Sequence, residues 1–455
     1  MKRFILRFVV YFLIVIVFVG GVGVFGYSRS YKDFYGSVYD KPATSLQGVK
    51  NPEYDPNKPT VAVILGDSTT TTEVFDFLIP YDLFSMADAY NVYAVAPDNN
   101  LKSLSGGLEV VPHYSFKEMD TLLGKSPDII VIPYIPIVDE IGYRPVREWI
   151  LQHSKTTLVS ICGGAVNLAD TGLLKGKSAT THWQAIDRVI KNFPDTQWKM
   201  DQRFVPEGNI VSSGGQTGGI DAVLYVISQK LGEPMAAKIA KEMNYPSYHF
   251  VQNPTVDPYS MDRYFATYVL NYAFQWIKTQ TGVLLYNGME ESALSSVFDA
   301  FADTGTTKVY SISKSEQPIV TKHHLNLIAR YQMSNAPKLD KMIVTGTEAK
   351  LLAMEDVKSW NKKGIAKELQ FLHSDSPERF VFEAPLEDLA KQEDMLTAKH
   401  AVKRFEYRAN NLRLEGKLFP IETYGNALLV GLISALVALY IDRRFIIKKR
   451  TAKWK

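Results

Sequence analysis

The sequence predicts an α/β fold in which parallel sheets of flavodoxin-like type are sandwiched by helices, in two tandem copies flanked by transmembrane helices. Three observations carry this expectation. Short β-branched apolar runs at 60–65, 92–96, 128–133 and 157–161 alternate with helical stretches at about 72–90, 144–154 and 164–171. Such runs suit strands buried on both faces, and the alternation implies a parallel sheet. Similar runs recur in the second half at matched spacing. Finally, each end of the chain carries an uncharged apolar run close to the length of a bilayer core.

Residues 8–27 contain no charge, and at 1.5 Å per helical residue they span about 30 Å. Lys2, Arg3 and Arg7 precede them. The run exceeds the apolar region of a cleaved signal peptide and no small-residue cleavage site follows, so residues 1–27 read as an uncleaved anchor. A second run, 424–441, is shorter and includes Gly425, Asn426, Gly431 and Ser434, which also suits a buried core helix. A dense basic tail, from Arg443 to Lys455 within segment 442–455, follows directly and marks a cytoplasmic flank.

Both termini are therefore expected inside, at a cell membrane of bacterial type, with the main domains outside the cytoplasm. The first flank carries +3. Seven basic residues against Asp442 give the last flank +6, so a chain of net +3 leaves −6 on its body. A mildly acidic body facing away from the cytoplasm excludes a nucleic-acid partner. The lipid bilayer is the expected partner of the two spans.

Residues 28–58 are polar and proline-punctuated and read as a linker. Residues 59–250 hold the first α/β domain, and 251–280 an aromatic-rich helical connector (Tyr264, Phe265, Tyr268, Tyr272) of the kind that forms a core or a domain interface. Residues 281–420 hold the second copy. There, 281–288 resembles the opening strand and 308–313 resembles 91–96. Val309 and Leu325 stand as far apart as Val92 and Leu108, and 340–345 answers 128–133. The second copy has no cysteine turn and reads as degenerate, so any chemistry belongs to the first. The two copies can pack as an internal pseudo-dimer.

The single cysteine, Cys162, excludes an internal disulfide and a cysteine-based zinc framework. It sits where a buried strand turns into a helix, followed by Gly163 and Gly164. Glycines allow a tight turn and close backbone approach, and a helix N-terminus favours a thiolate. A small buried hydrophobe is the plainer reading of a lone cysteine. No P-loop, dinucleotide fingerprint or histidine-based metal motif appears. The eight histidines are not spaced as metal ligands, and His323-His324 reads as structural or exposed. No cofactor and no metal are expected.

The block from Ser160 to Trp183 (SICGGAVNLADTGLLKGKSATTHW) and that from Val211 to Asp221 (VSSGGQTGGID) resemble the DJ-1/PfpI superfamily of class I glutamine amidotransferase-like proteins. The branch is that of isonitrile hydratases and the ligand-type domain of AraC-like regulators. The resemblance covers about 59–245, and weakly 281–346. It implies Asp76, four residues before Pro80, as the carboxyl partner of Cys162, with Glu73 one turn earlier as its rival. It implies His182, twenty residues after Cys162, as a base or polar neighbour. Cys162, Asp76 and His182 are thus the candidate catalytic set, and Gly163, Gly164, Glu73, Pro133 and Tyr134 the candidate ligand-binding set.

Two departures bear on activity. Gly163 stands where proteolytic members have histidine, which argues against a His-assisted protease. Pro133-Tyr-Ile-Pro136 replaces the Gly-Gly whose N–H helps to form an oxyanion pocket, and proline has no N–H. The Thr-rich turn at 68–72 offers hydroxyls to a ligand or to solvent. Two functions stay open. One is an outward-facing thiol protein acting on or binding a small molecule, with hydratase, amidohydrolase or lyase-like chemistry. The other is a non-catalytic binding or redox-sensing module that signals through its spans.

Overall fold

The computed structural model describes residues 2–39, 46–361 and 366–447. The first half builds one sheet from β1 (Thr60–Ile64), β2 (Asn91–Ala96), β3 (Tyr114–Ser115), β4 (Ile129–Ile132), β5 (Thr157–Ser160), β6 (Phe204–Glu207) and β7 (Ile210–Ser213), in the spatial order 6-7-5-4-1-2-3. Only the β6–β7 edge pair is antiparallel. The second half builds a parallel sheet from β8 (Thr279–Leu284), β9 (Thr307–Ser313), β10 (Tyr331–Gln332), β11 (Leu339–Val344) and β12 (Ala366–Phe371), in the order 10-9-8-11-12. That order repeats 3-2-1-4-5 of the first sheet.

Small details repeat as well. The Thr60 N–H bonds Asp128 Oδ2 at 2.8 Å, and the Gln280 N–H bonds Asp340 Oδ2 at 3.1 Å. The Leu65 N–H reaches the Val95 carbonyl and the Leu285 N–H that of Ile312, both at 2.7 Å. Beside the two main sheets, strand Leu108–Val111 of the first half pairs antiparallel with Asn326–Ile328 of the second, and Val110 faces Leu327. These two residues lie two positions after Leu108 and Leu325, so like positions of the two halves meet.

Strand alternation sorts the core. On β1, Val61 and Val63 face a large apolar cluster that runs on into the second half, while Ala62 and Ile64 face a smaller one with Phe116 and Trp149. The helices that position the site are α1 (Lys2–Phe34), α2 (Val74–Met86), α3 (Gly164–Asp170), α4 (Arg263–Phe274), α5 (Glu291–Ala302), α6 (Met395–Arg404) and α7 (Ile421–Ile441). α2 packs on α5 and is buried from Val74 to Phe84. It therefore shows no polar face. Burying Phe75, Phe77, Leu78 and Ile79 contributes about 1.5–3 kcal/mol each, enough to offset the cost of the polar Asp76 and Asp82 on the same helix.

Two expectations about boundaries change. The chain from Ser28 does not become a tether, because α1 continues as helix to Phe34. Its last turns dock on α4: the Ser30 hydroxyl donates to the Tyr272 carbonyl at 2.9 Å, and Gly26 lies against Ala273. Nor is 281–420 self-contained. The chain after α6 enters the first half, where the Thr217 N–H meets the Phe405 carbonyl at 3.0 Å and Arg203 Nη1 meets that of Glu406, also at 3.0 Å.

Two helices, over Arg7–Phe34 and Ile421–Arg444, are long and apolar enough to cross a membrane. Two polar residues near the start of α7 point inward. Thr423 Oγ1 donates to Asn271 Oδ1 at 2.8 Å, and Asn426 Nδ2 to the Phe274 carbonyl at 2.9 Å. Near the other end of the pair, Arg7 ion-pairs with Asp442. The basic residues expected at 448–455 lie outside the described residues.

A Cβ on Gly26 would lie 2.0 Å from the Ala273 carbonyl oxygen, whereas one on Gly20 would meet nothing within 4 Å. Gly26→Ala is expected to lower the melting temperature of the detergent-solubilised chain, overpacking costing about 1–3 kcal/mol. Gly20→Ala should leave it unchanged or slightly raised. Equal effects of the two would contradict the docking of α1 on α4.

Candidate functional site

The site is built on the turn that ends β5. Cys162 itself adopts φ +52°, the left-handed region that costs a non-glycine residue about 1–3 kcal/mol. The strain sits on the cysteine and not on the glycines after it. The turn is held by three contacts: the Cys162 N–H donates to Ser213 Oγ at 3.0 Å, Thr181 Oγ1 donates to the Cys162 carbonyl at 2.9 Å, and the Ile161 N–H reaches the Ile132 carbonyl at 3.1 Å. The glycines serve close packing. A Cβ on Gly164 would fall 2.0 Å from the Ile132 carbonyl oxygen, and one on Gly163 would fall 2.8 Å from the Tyr134 ring. Pro133 and Gly164 thus form the back of the turn, while Gly163 and Tyr134 face the cavity.

That cavity, of about 270 Å³, brings Cys162, Gly163, Glu73, Tyr134 and His182 together. Asp76 lies one layer deeper, fully buried. Its Oδ2 accepts the Tyr134 N–H at 3.0 Å, and its Oδ1 accepts from no donor among the described residues, leaving it to the Glu73 carboxyl. Glu73 Oε2 accepts the Asp76 N–H at 2.7 Å, and Glu73 Oε1 likewise accepts from no donor among the described residues. Burial pushes both carboxyls well above their ordinary range; Asp76 raises Glu73 further, whereas the Tyr134 N–H and a side-chain hydrogen bond with Glu73 pull Asp76 part of the way back, so the pair holds on to a proton above the usual carboxylate range.

The thiol differs from its expected state. Burial raises it well above its ordinary value, and Asp76 and Glu73 raise it further against the one favourable N–H of Gly163. The dipole of the seven-residue α3 does not outweigh them, and Cys162 is a thiol near neutrality. His182 is turned away: its Nε2 meets the Arg404 carbonyl at 3.1 Å, and burial lowers it to about 4, leaving it neutral. Its hydrogen bonding among the described residues is to that carbonyl and not to sulfur. The segment replacing Gly-Gly offers no N–H to a ligand, since those of Tyr134 and Ile135 are taken by Asp76 and Asn167. The threonine turn is spent on structure: Thr72 Oγ1 accepts the Gly66 N–H, Thr70 donates to Pro136 and Thr71 to Tyr35.

Sequence reasoning missed most of the wall. Tyr27 and Tyr31 come from α1, Gln216 from the helix after β7, Phe265 and Tyr268 from α4, and Arg404 from α6. The guanidinium of Arg404 bonds Asp299 Oδ1 at 2.8 Å and Asp303 Oδ2 at 3.2 Å, and its Nε meets no acceptor among the described residues. The aromatic spacing of α4 signalled an interface but not the cavity it lines. Nothing in the spacing of Arg404 signalled its role.

Among the described residues the second sheet has no such site. After β12 the Leu372 N–H reaches the Val344 carbonyl at 3.1 Å, just as Ile161 reaches Ile132. The residue in the place of Cys162 is therefore His373. It is buried, with Nδ1 facing the Gly346 N–H at 3.1 Å and Nε2 the Val381 carbonyl at 2.8 Å.

A cysteine on a strained turn between a central parallel strand and a helix defines the nucleophile-elbow class of α/β proteins. The DJ-1/PfpI family model matches residues 59–229. Over 177 residues the chain is 29% identical to an isonitrile hydratase of Pseudomonas putida, covering 37% of this chain and 72% of that protein. Over 165 residues it is 27% identical to the HTH-type transcriptional regulator CdhR of Pseudomonas aeruginosa, covering 34% of this chain and 45% of the regulator. The chain thus spans under half the length of that relative. Among solved structures, Drosophila melanogaster DJ-1beta matches 40% of this chain and 96% of its own at 19% identity, with a TM-score of 0.35.

The thiol makes a direct prediction. Alkylation of Cys162 by iodoacetamide should accelerate only above the ordinary thiol value of about 8.5. Asp76→Asn should bring the midpoint down by removing a negative neighbour. A midpoint below the ordinary value, or one unmoved by Asp76→Asn, would contradict this electrostatic account.

Proposed function

We propose that the chain is a membrane-anchored DJ-1/PfpI protein, facing away from the cytoplasm, that binds a small polar molecule beside Cys162 and reports its presence through α1. The observation that carries this reading is the composition of the cavity wall. One small space of about 270 Å³ is lined by the elbow thiol, by Glu73, by Arg404 from the far end of the chain, and by Tyr27 and Tyr31 of the helix that enters the apolar segment. A ligand there touches both halves and α1 at once. Filling the space favours one placement of α1 by the difference in affinity between its placements.

The electrostatics favour binding over resting nucleophilicity. The thiol is protonated, the carboxyl pair holds on to a proton, and Asp299 and Asp303 balance Arg404. The wall offers aromatic faces, the guanidinium of Arg188, and a Glu73 carboxyl oxygen that accepts from no donor among the described residues, which suit a small polar ligand. The repeated strand order and the Val110–Leu327 pairing support reading the two halves as tandem copies that pack as an internal pseudo-dimer, the second having lost its elbow. Two long apolar helices and the charge segregation support the anchoring and the outward orientation.

A second reading rests on the strained elbow and its acid pair, and on the likeness to an isonitrile hydratase. As the Cys162 sulfur bonds an unsaturated electrophilic carbon, the S–H bond and one carbon–heteroatom π bond break; the π pair moves to the heteroatom, which takes the proton of the Asp76 carboxyl while Asp76 takes the thiol proton. The elevated thiol makes this a step that only a bound substrate triggers.

Two measurements test the proposal. In a Cys162→Ser background, Asn57→Cys in intact cells should react with a membrane-impermeant maleimide, and absence of labelling would overturn the outward orientation. In the detergent-solubilised full chain, a small-molecule ligand of this site should raise the melting temperature and protect Cys162 from alkylation at high pH, both effects shrinking at least tenfold in apparent affinity in Glu73→Gln. Cys162-dependent turnover of a small electrophile would replace the binding reading with the catalytic one.

A further inference from the structure

Away from the elbow, three side chains distant in sequence converge where the halves join. Asp82 lies on α2, Glu291 opens α5, and His323 lies in the turn between strands Ile319–Val320 and Asn326–Ile328. Asp82 Oδ1 is 2.9 Å and Glu291 Oε2 is 3.1 Å from His323 Nδ1, and the three ligand atoms lie within 4.8 Å of one another. We propose that Asp82, Glu291 and His323 form a binding site for one divalent cation of zinc's class.

The donors around these residues aim them. Asp82 Oδ2 accepts the Ser292 N–H at 3.1 Å. Glu291 Oε1 accepts the His323 N–H at 2.9 Å and the Thr321 hydroxyl. The His323 carbonyl accepts the Tyr81 hydroxyl at 2.7 Å. One oxygen of each carboxylate is thereby committed to the scaffold and the other is directed at the imidazole, an arrangement in which outer partners orient metal ligands. With metal–ligand bonds of about 2.0–2.2 Å, tetrahedral ligand atoms sit roughly 3.4 Å apart. The 2.9 and 3.1 Å separations reach that by opening a few tenths of an ångström.

Charge points the same way. Both carboxylates are buried, and among the described residues His323 is the one cation ion-paired with either. Two carboxylates against one imidazolium leave a buried net charge of −1. A divalent ion with a neutral imidazole brings it to zero. The His323 side chain is 20% exposed, so the cluster is reached from solvent. One imidazole nitrogen and two carboxylates suit zinc and its neighbours, whereas calcium and magnesium prefer more oxygen ligands in larger shells.

The test uses the full chain in detergent, stripped with a chelator and titrated with Zn²⁺ alone against a chromophoric competitor. The expected result is one equivalent bound and a raised melting temperature, with at least tenfold weaker binding in His323→Gln and in Asp82→Asn and none lost in Cys162→Ser. X-ray absorption of the wild-type Zn²⁺ complex, which needs no variant to fold, should show nitrogen and oxygen ligands without sulfur. Absence of a saturable equivalent, sulfur in the first shell, or unchanged affinity in both ligand variants would overturn the site and leave an ion-paired histidine.

Discussion

The buried guanidinium of Arg404 is the interaction around which the two halves are arranged. Taking such a charge out of water costs several kcal/mol, and only well-placed partners offset it. Asp299 and Asp303 supply the opposite charge from the second half. The carbonyl of the same residue holds His182 of the first half. Once α6 is fixed by this pairing, the chain beyond it must thread into the first half, where Thr217 and Arg203 bind the carbonyls at 405 and 406. The cavity exists because this docking leaves a gap between α6, α1, α4 and the elbow.

Much of the first half was legible in the sequence because its signals are local. The strands at 60–64, 91–96, 129–132 and 157–160 are continuous apolar runs, and the elbow block carries its own turn. The pairing of Asp128 with the start of β1 repeats at Asp340, so the matched spacing of the second half also had a physical basis. What escaped was long-range. Arg404 reaches a site more than two hundred residues away, and Tyr27 and Tyr31 come from a helix whose apolar run masked its function as a wall. The states of Cys162 and His182 escaped for another reason: charge state follows burial and neighbours, and neither is written in spacing.

The loop at 133–136 shows how one local segment sets the state of its neighbours. With Gly-Gly absent, Tyr134 lays its ring against Gly163 and gives its N–H to Asp76. That bond anchors the deeper carboxyl, which then raises the thiol. The elbow keeps its strained backbone, supported by Ser213 and Thr181, while the surrounding groups withdraw the features that lower a thiol's pKa. Geometry and reactivity are therefore separable here, and the +52° turn alone does not define an active nucleophile.

The facing of Val110 and Leu327 has a consequence for how such a molecule changes over time. In an assembly of identical subunits, any substitution appears at every equivalent position, so a change that improves one pocket alters its twin as well. Here the two sheets belong to one polypeptide and each position can vary alone. One half carries cysteine at the end of its fifth strand, while the other carries a sealed histidine there and spends its side chains on supporting its neighbour. Covalent linkage also keeps the pair together at any dilution, so asymmetry can accumulate without loss of the shared interface.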